Sequence, residues 1–73
     1  MYSVNITKIE NHKQSNDLVV ATKDKHEAEL AFEGTILGLR HQLKDIRTGE
    51  IIEKNKIKFK YANTIITVTL KEG

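Results

Sequence analysis

Residues 24–46 read DKHEAELAFEGTILGLRHQLKDI, and whether they form a helix or strands decides the fold. Asp24 followed three positions later by Glu27 has the pattern of a capping box, and the acids around it favour a helix N-terminus. From there Ala28, Phe32, Thr35, Ile36, Leu39, Leu43 and Ile46 fall on one face at helical spacing. Residues 27–32 and 39–44 are also rich in strong helix formers. Gly49, just past Arg47 and Thr48, suits a C-terminal stop. Against this, Gly34 and Gly38 each cost about 1 kcal/mol inside a helix. The rival reading is an all-β meander or small barrel. Leu37, Leu39 and Leu43 also alternate, and Arg47-Thr48-Gly49-Glu50 is good hairpin chemistry, so a run over 35–46 could turn back into 50–53. The position of the cap and the helix formers on both sides of the glycines favour the helix.

The flanking segments read as strands. Upstream, Tyr2, Val4 and Ile6 alternate with Ser3, Asn5 and Thr7, the period of a strand with one buried face. Residues 11–16, NHKQSN, are a polar break, and Leu18-Val19-Val20-Ala21 follows, so the spacing predicts a hairpin with a longer loop. Downstream, Ile57, Phe59 and Tyr61 alternate with Lys56, Lys58 and Lys60. Ala62-Asn63 turns the chain, and Ile66, Val68 and Leu70 then alternate with Ile65, Thr67, Thr69 and Lys71. The order expected is ββαββ in a single domain over 1–73: an α+β fold with an antiparallel sheet and one helix packed on a face.

The chain has 73 residues. A chain of this size hides only about 60% of its unfolded surface, and its core rarely supplies more than ~3–5 kcal/mol. Small domains commonly add disulfides, metals or self-association. There is no cysteine, and His12, His26 and His41 share no ligand-like spacing, so neither a metal nor another cofactor is expected. Self-association is the remaining support. Met1 reads as a native start, no apolar leader follows it, and the longest uncharged apolar stretch, 36–39, is far below membrane length. The expectation is a small cytoplasmic protein with no membrane partner. Ten lysines against two arginines, with many Ile, Asn and Thr, suggest a low-GC bacterium or its phages.

The net charge of +2 is too mild to imply a polyanionic partner, but it is unevenly spread. Residues 24–46 sum to −2 and residues 47–73 to +3. Lys54, Lys56, Lys58 and Lys60, at period two, would share one strand face, with Lys71 beside them. Such a stripe could track phosphates. Sheet-face readers of single strands also need stacking aromatics, and here Phe59, Tyr61 and Tyr2 fall in the buried pattern. Lysines that keep the sheet from aggregating are the simpler account. For catalysis the sequence offers no Gly-rich phosphate loop, nucleophile elbow or paired carboxylates, so no enzyme is expected.

The helix carries a second feature. Leu30 and Leu37 lie nearly opposite its apolar face, with Gly34 and His41 between and beyond them in the spacing 30, 34, 37, 41. Gly34 and Gly38 would let another backbone approach closely. Leu30, Gly34, Leu37, Gly38 and His41 are therefore the candidate self-association seam, unless the helix bends at Gly34 and turns Leu37 inward. The sequence thus predicts a homodimeric, non-enzymatic interaction or regulatory module with a further, unidentified protein partner. A phage or mobile-element accessory protein that binds a host protein would fit. The alternative is a weak, sequence-tolerant nucleic-acid binder using the lysine face.

Overall fold

The computed structural model describes residues 1–46 and 49–73. Its elements in chain order are β1 (Tyr2–Glu10), β2 (Lys13–Thr22), α1 (Lys25–Gln42), β3 (Gly49–Glu53), β4 (Lys56–Tyr61) and β5 (Thr64–Glu72). The five strands make one antiparallel sheet in the order β2-β1-β5-β4-β3, with α1 packed on one side. The α+β architecture is the one the sequence pattern predicts, with one more strand: β3 extends the C-terminal hairpin to a three-stranded meander. Residues 50–53 are strand, as the all-β reading had them, whereas 35–42 are helix.

Three two-residue turns set the register. Glu10 pairs with Lys13, leaving Asn11 (φ 51°) and His12 (φ 68°) as the loop. Two successive positive φ angles are the geometry of a type I′ turn, whose twist matches that of the strands. The longer loop expected over 11–16 is therefore replaced by strand, because the polar residues 13–16 lie on the outermost strand, where both faces meet water. Between β3 and β4 the turn is Lys54-Asn55, with Asn55 at φ 60°, and between β4 and β5 it is Ala62-Asn63, with Ala62 at φ 47°. The β1–β2 register slips once, between Val4 and Asn5, so that Val19 is the extra residue of a bulge on the β2 edge.

Alternation along the strands sends Val4, Ile57, Phe59, Ile66 and Val68 to the inner side, under the helix, where all five are buried. From α1, Ile36 and the C-cap residue Leu43 are buried against them, with Ala31, Phe32 and Leu39 partly so, and Ala28 is fully buried as well. The helix is continuous through Gly34 and Gly38. Its N-cap is Asp24, whose Oδ1 accepts from the His26 backbone N–H at 2.9 Å. The reciprocal half of the capping box does not form. The Asp24 N–H instead donates to Thr22 Oγ1 (3.1 Å), and that hydroxyl donates to Glu27 Oε2 (3.3 Å). The helix also ends sooner than the apolar periodicity suggests. Leu43 closes it, bonding back to Leu39, and Ile46 lies beyond in a turn, 46% exposed. Gly49 opens β3 rather than stopping the helix, and Arg47 and Thr48 lie outside the described residues.

Candidate interaction surfaces

An amphipathic helix on a sheet needs only one apolar stripe, and α1 has two. At about 100° per residue, Leu30 and Leu37 project together from the side opposite Ala28 and Leu39. They are 57% and 63% exposed. Gly34, Gly38 and His41, also exposed, lie on the same side, and a Cβ built on either glycine meets nothing within 4 Å. All five residues of the expected seam are therefore together on the outer surface of one continuous helix.

The helix also leaves part of the sheet uncovered. It packs chiefly over β2, β1 and β5. Five strands at ~4.8 Å spacing make a face ~24 Å across, whereas one helix is only ~10–12 Å wide. On the β3 side the shortfall is a groove of about 380 Å³, lined by Phe32, Glu33, Ile36, Leu37 and Arg40 from α1 and by Ile57 from β4. Ile52, paired with Ile57 and so on the same inner side, is 67% exposed. Arg40 is held at the end of this groove, its Nε donating to Glu50 Oε1 at 2.8 Å. The sequence reading missed Ile52 and the Glu33–Arg40 groove wall. The signal available for Ile52 was the apolar pair Ile51-Ile52, which earns a place only once 49–53 is taken as a strand.

The opposite, outer side of the sheet carries the lysines, with Ile9, Leu18, Ile51 and Ile65 among them. Register puts Lys56 beside Thr69, Lys58 beside Thr67 and Lys60 beside Ile65. Lys71 pairs with Ser3 on the same side, and Asn5, Thr7 and Asn16 continue it, with Thr7 Oγ1 donating to Asn16 Oδ1 at 2.9 Å. Lys54 is not in this row; it sits in the β3–β4 turn. Alternation places one carboxylate on this face, Glu53 beside Lys56. None of the aromatic residues joins it, since Tyr2, Phe59 and Tyr61 follow the inner alternation and Phe32 is on the helix. At the far end of the inner side, Lys8 Nζ lies 3.1 Å from Glu10 Oε2, and that hydrogen bond and charge raise the lysine pKa.

The three histidines do not meet. His12 is in the β1–β2 turn, His26 in the first helical turn and His41 in the last, all exposed. Among the described residues no three His, Asp or Glu side chains cluster as metal ligands would, and no helix is long and apolar enough to cross a membrane. No protein-family model matches the chain, nor does any curated protein or solved structure.

Proposed function

We propose that the protein is a non-enzymatic interaction module that works as a homodimer, joined through the outer side of α1. The observation that carries this reading is the leucine pair, Leu30 and Leu37, standing in water on the side of the helix that the core does not use. Full burial of a leucine contributes ~1.5–3 kcal/mol, so each would gain ~1–2 kcal/mol more from a partner. Four leucines across a two-fold then offer ~4–8 kcal/mol, no more than the ~4–15 kcal/mol that association costs. A dimer stable at micromolar concentration needs further apolar surface, and the groove beside the same helix has it. Multi-angle light scattering across a concentration series is the test. The expected result is twice the monomer mass, falling to one chain in Leu37→Glu; a monomer throughout refutes the reading.

A second reading rests on a separate surface. The outer sheet side carries Lys56, Lys58, Lys60 and Lys71 against one carboxylate, with hydroxyl and amide groups that suit phosphate oxygens interspersed with Ile9, Ile51 and Ile65. Without aromatics it would bind a nucleic-acid backbone weakly, with little regard for sequence. Retention on a DNA column that vanishes at moderate salt, and in Lys56→Gln with Lys58→Gln, is the expected behaviour. Tight binding that survives high salt yet is lost in that double variant would make this the primary function.

A further inference from the structure

We infer that the free edge of β3 takes an extended segment of a partner protein as a further strand of the sheet, and that this segment alternates basic and apolar residues. The backbone sets the position. A two-residue turn joins β3 to β4, so Glu53 and Lys56, which flank it, exchange backbone hydrogen bonds. Such pairs alternate with unbonded ones along an antiparallel ladder. Gly49 and Ile51 therefore also bond to β4, whereas the N–H and C=O groups of Glu50 and Ile52 point away from it. The β4–β5 turn is equally short, and counting from Tyr61 and Thr64 gives β4 the same phase. Among the described residues β3 is the last strand on its side, so these two donors and two acceptors face outward. The edge has none of the usual blocks, since β3 contains no proline, lysine or bulge. On the opposite edge, β2, the bulge at Val19 interrupts the corresponding row.

The side chains specify what fits there. Ile52 lies on the inner side of β3 and Ile51 on the outer, 67% and 41% exposed. Glu53, also on the outer side, has no ion pair among the described residues, and β3 carries no base. Its existing neighbour already shows the complement. The β4 sequence KIKFKY puts Lys56, Lys58 and Lys60 beside Glu53, Ile51 and Gly49, and Ile57 and Phe59 beside Ile52 and Glu50. A strand of the same alternation on the free edge repeats these pairings: an apolar residue covers Ile52, and Glu53 comes to lie between two bases. Main-chain bonds supply attachment and the alternation supplies selectivity, as in strand addition generally. The edge is separate from the outer side of α1, so it is open whether or not that side is covered.

The probe is the end-blocked peptide Lys-Ile-Lys-Phe-Lys-Tyr, the sequence of residues 56–61, titrated into the whole protein while NMR follows the protein amides. In the expected register the peptide's Ile and Phe amides face β3, and its Lys amides face water. N-methylation of the Ile and Phe amides should therefore weaken binding at least about tenfold, whereas N-methylation of the second and third Lys amides should change it less than about twofold. Hydrogen exchange at Glu50 and Ile52 should slow in the complex. Ile52→Pro removes an N–H that β4 does not use, so the variant should fold by circular dichroism yet lose peptide affinity; should it unfold, the methylated peptides still decide. Absence of binding at millimolar peptide overturns the inference, as do equal effects of the two methylated peptides. Exchange slowed at Gln14 and Asn16 on β2, and not at Glu50 and Ile52, overturns it too. The homodimer reading is decided separately, by the mass of the unmodified protein.

Discussion

Truncating Leu37 to alanine separates what the side chain does within one subunit from what it does between two. Helix propensity is nearly unchanged, because leucine and alanine are both strong formers. Within the subunit Leu37 is 63% exposed, so only about a third of its ~1.5–3 kcal/mol burial energy is realised there, and the loss from the monomer should stay below ~1 kcal/mol. In the dimer the remaining two-thirds is lost from each copy, ~2–4 kcal/mol in all. At ~1.4 kcal/mol per decade, that weakens the dimer roughly 30- to 700-fold. Urea denaturation at two protein concentrations a hundredfold apart reads both effects. The unmodified protein should be more stable at the higher concentration, since dimerisation is linked to folding by mass action. Leu37→Ala should lose most of that dependence while losing little stability at the lower concentration. A midpoint independent of concentration in the unmodified protein would refute the reasoning, as would an equal loss at both concentrations.

Other consequences concern the fold itself. Phe59, 1% exposed at the centre of the core, should cost ~3–5 kcal/mol as alanine, about all the stability a chain this size has, so circular dichroism should show Phe59→Ala largely unfolded at 25 °C. Asp24→Ala removes the N-cap bond to His26 and should lower stability by ~1 kcal/mol in urea titration. Ala62→Gly should raise the melting temperature. Alanine at φ 47° bears a left-handed strain of ~1–2 kcal/mol, only partly offset by the ~0.5–1 kcal/mol of extra chain entropy that glycine brings.

The parts legible in the sequence were those in which one physical rule acted alone. Alternation gave both faces of β1, β4 and β5, and helical spacing put Leu30 and Leu37 outside and Ile36 and Leu43 inside. Where two rules competed the sequence was less informative. Residues 13–16 are polar enough to be a loop, yet they are strand, because an edge strand loses little by facing water twice. Ile46 keeps the helical period but falls past the end, where Leu43 has already met the core. Gly49 has the chemistry of a helix stop and of a strand end, and only the pairing with Lys60 separates them. Lys54 keeps the period of the lysine strand but belongs to its turn. The groove was not legible at all, since the width a sheet leaves uncovered depends on strand order, which local patterns do not encode.

That strand order also bears on how fast the protein folds. The β1–β2 hairpin and the β3–β4–β5 meander are each built from neighbours in sequence, and α1 begins within two residues of β2. The sheet is completed only when β5 pairs with β1, from Tyr2 with Glu72 to Glu10 with Thr64, so the contacts that join the two halves span nearly the whole chain. Loop closure over that distance comes before any reward from the core, which holds Val4 and Val68 at that seam. Folding should therefore run in the millisecond-to-second range of mixed and β-rich topologies, not the microsecond range of helical bundles. The meeting of the two halves should then be the rate-limiting step, so lesions along β1–β5 should slow folding, whereas lesions in the outlying β3 should mainly hasten unfolding.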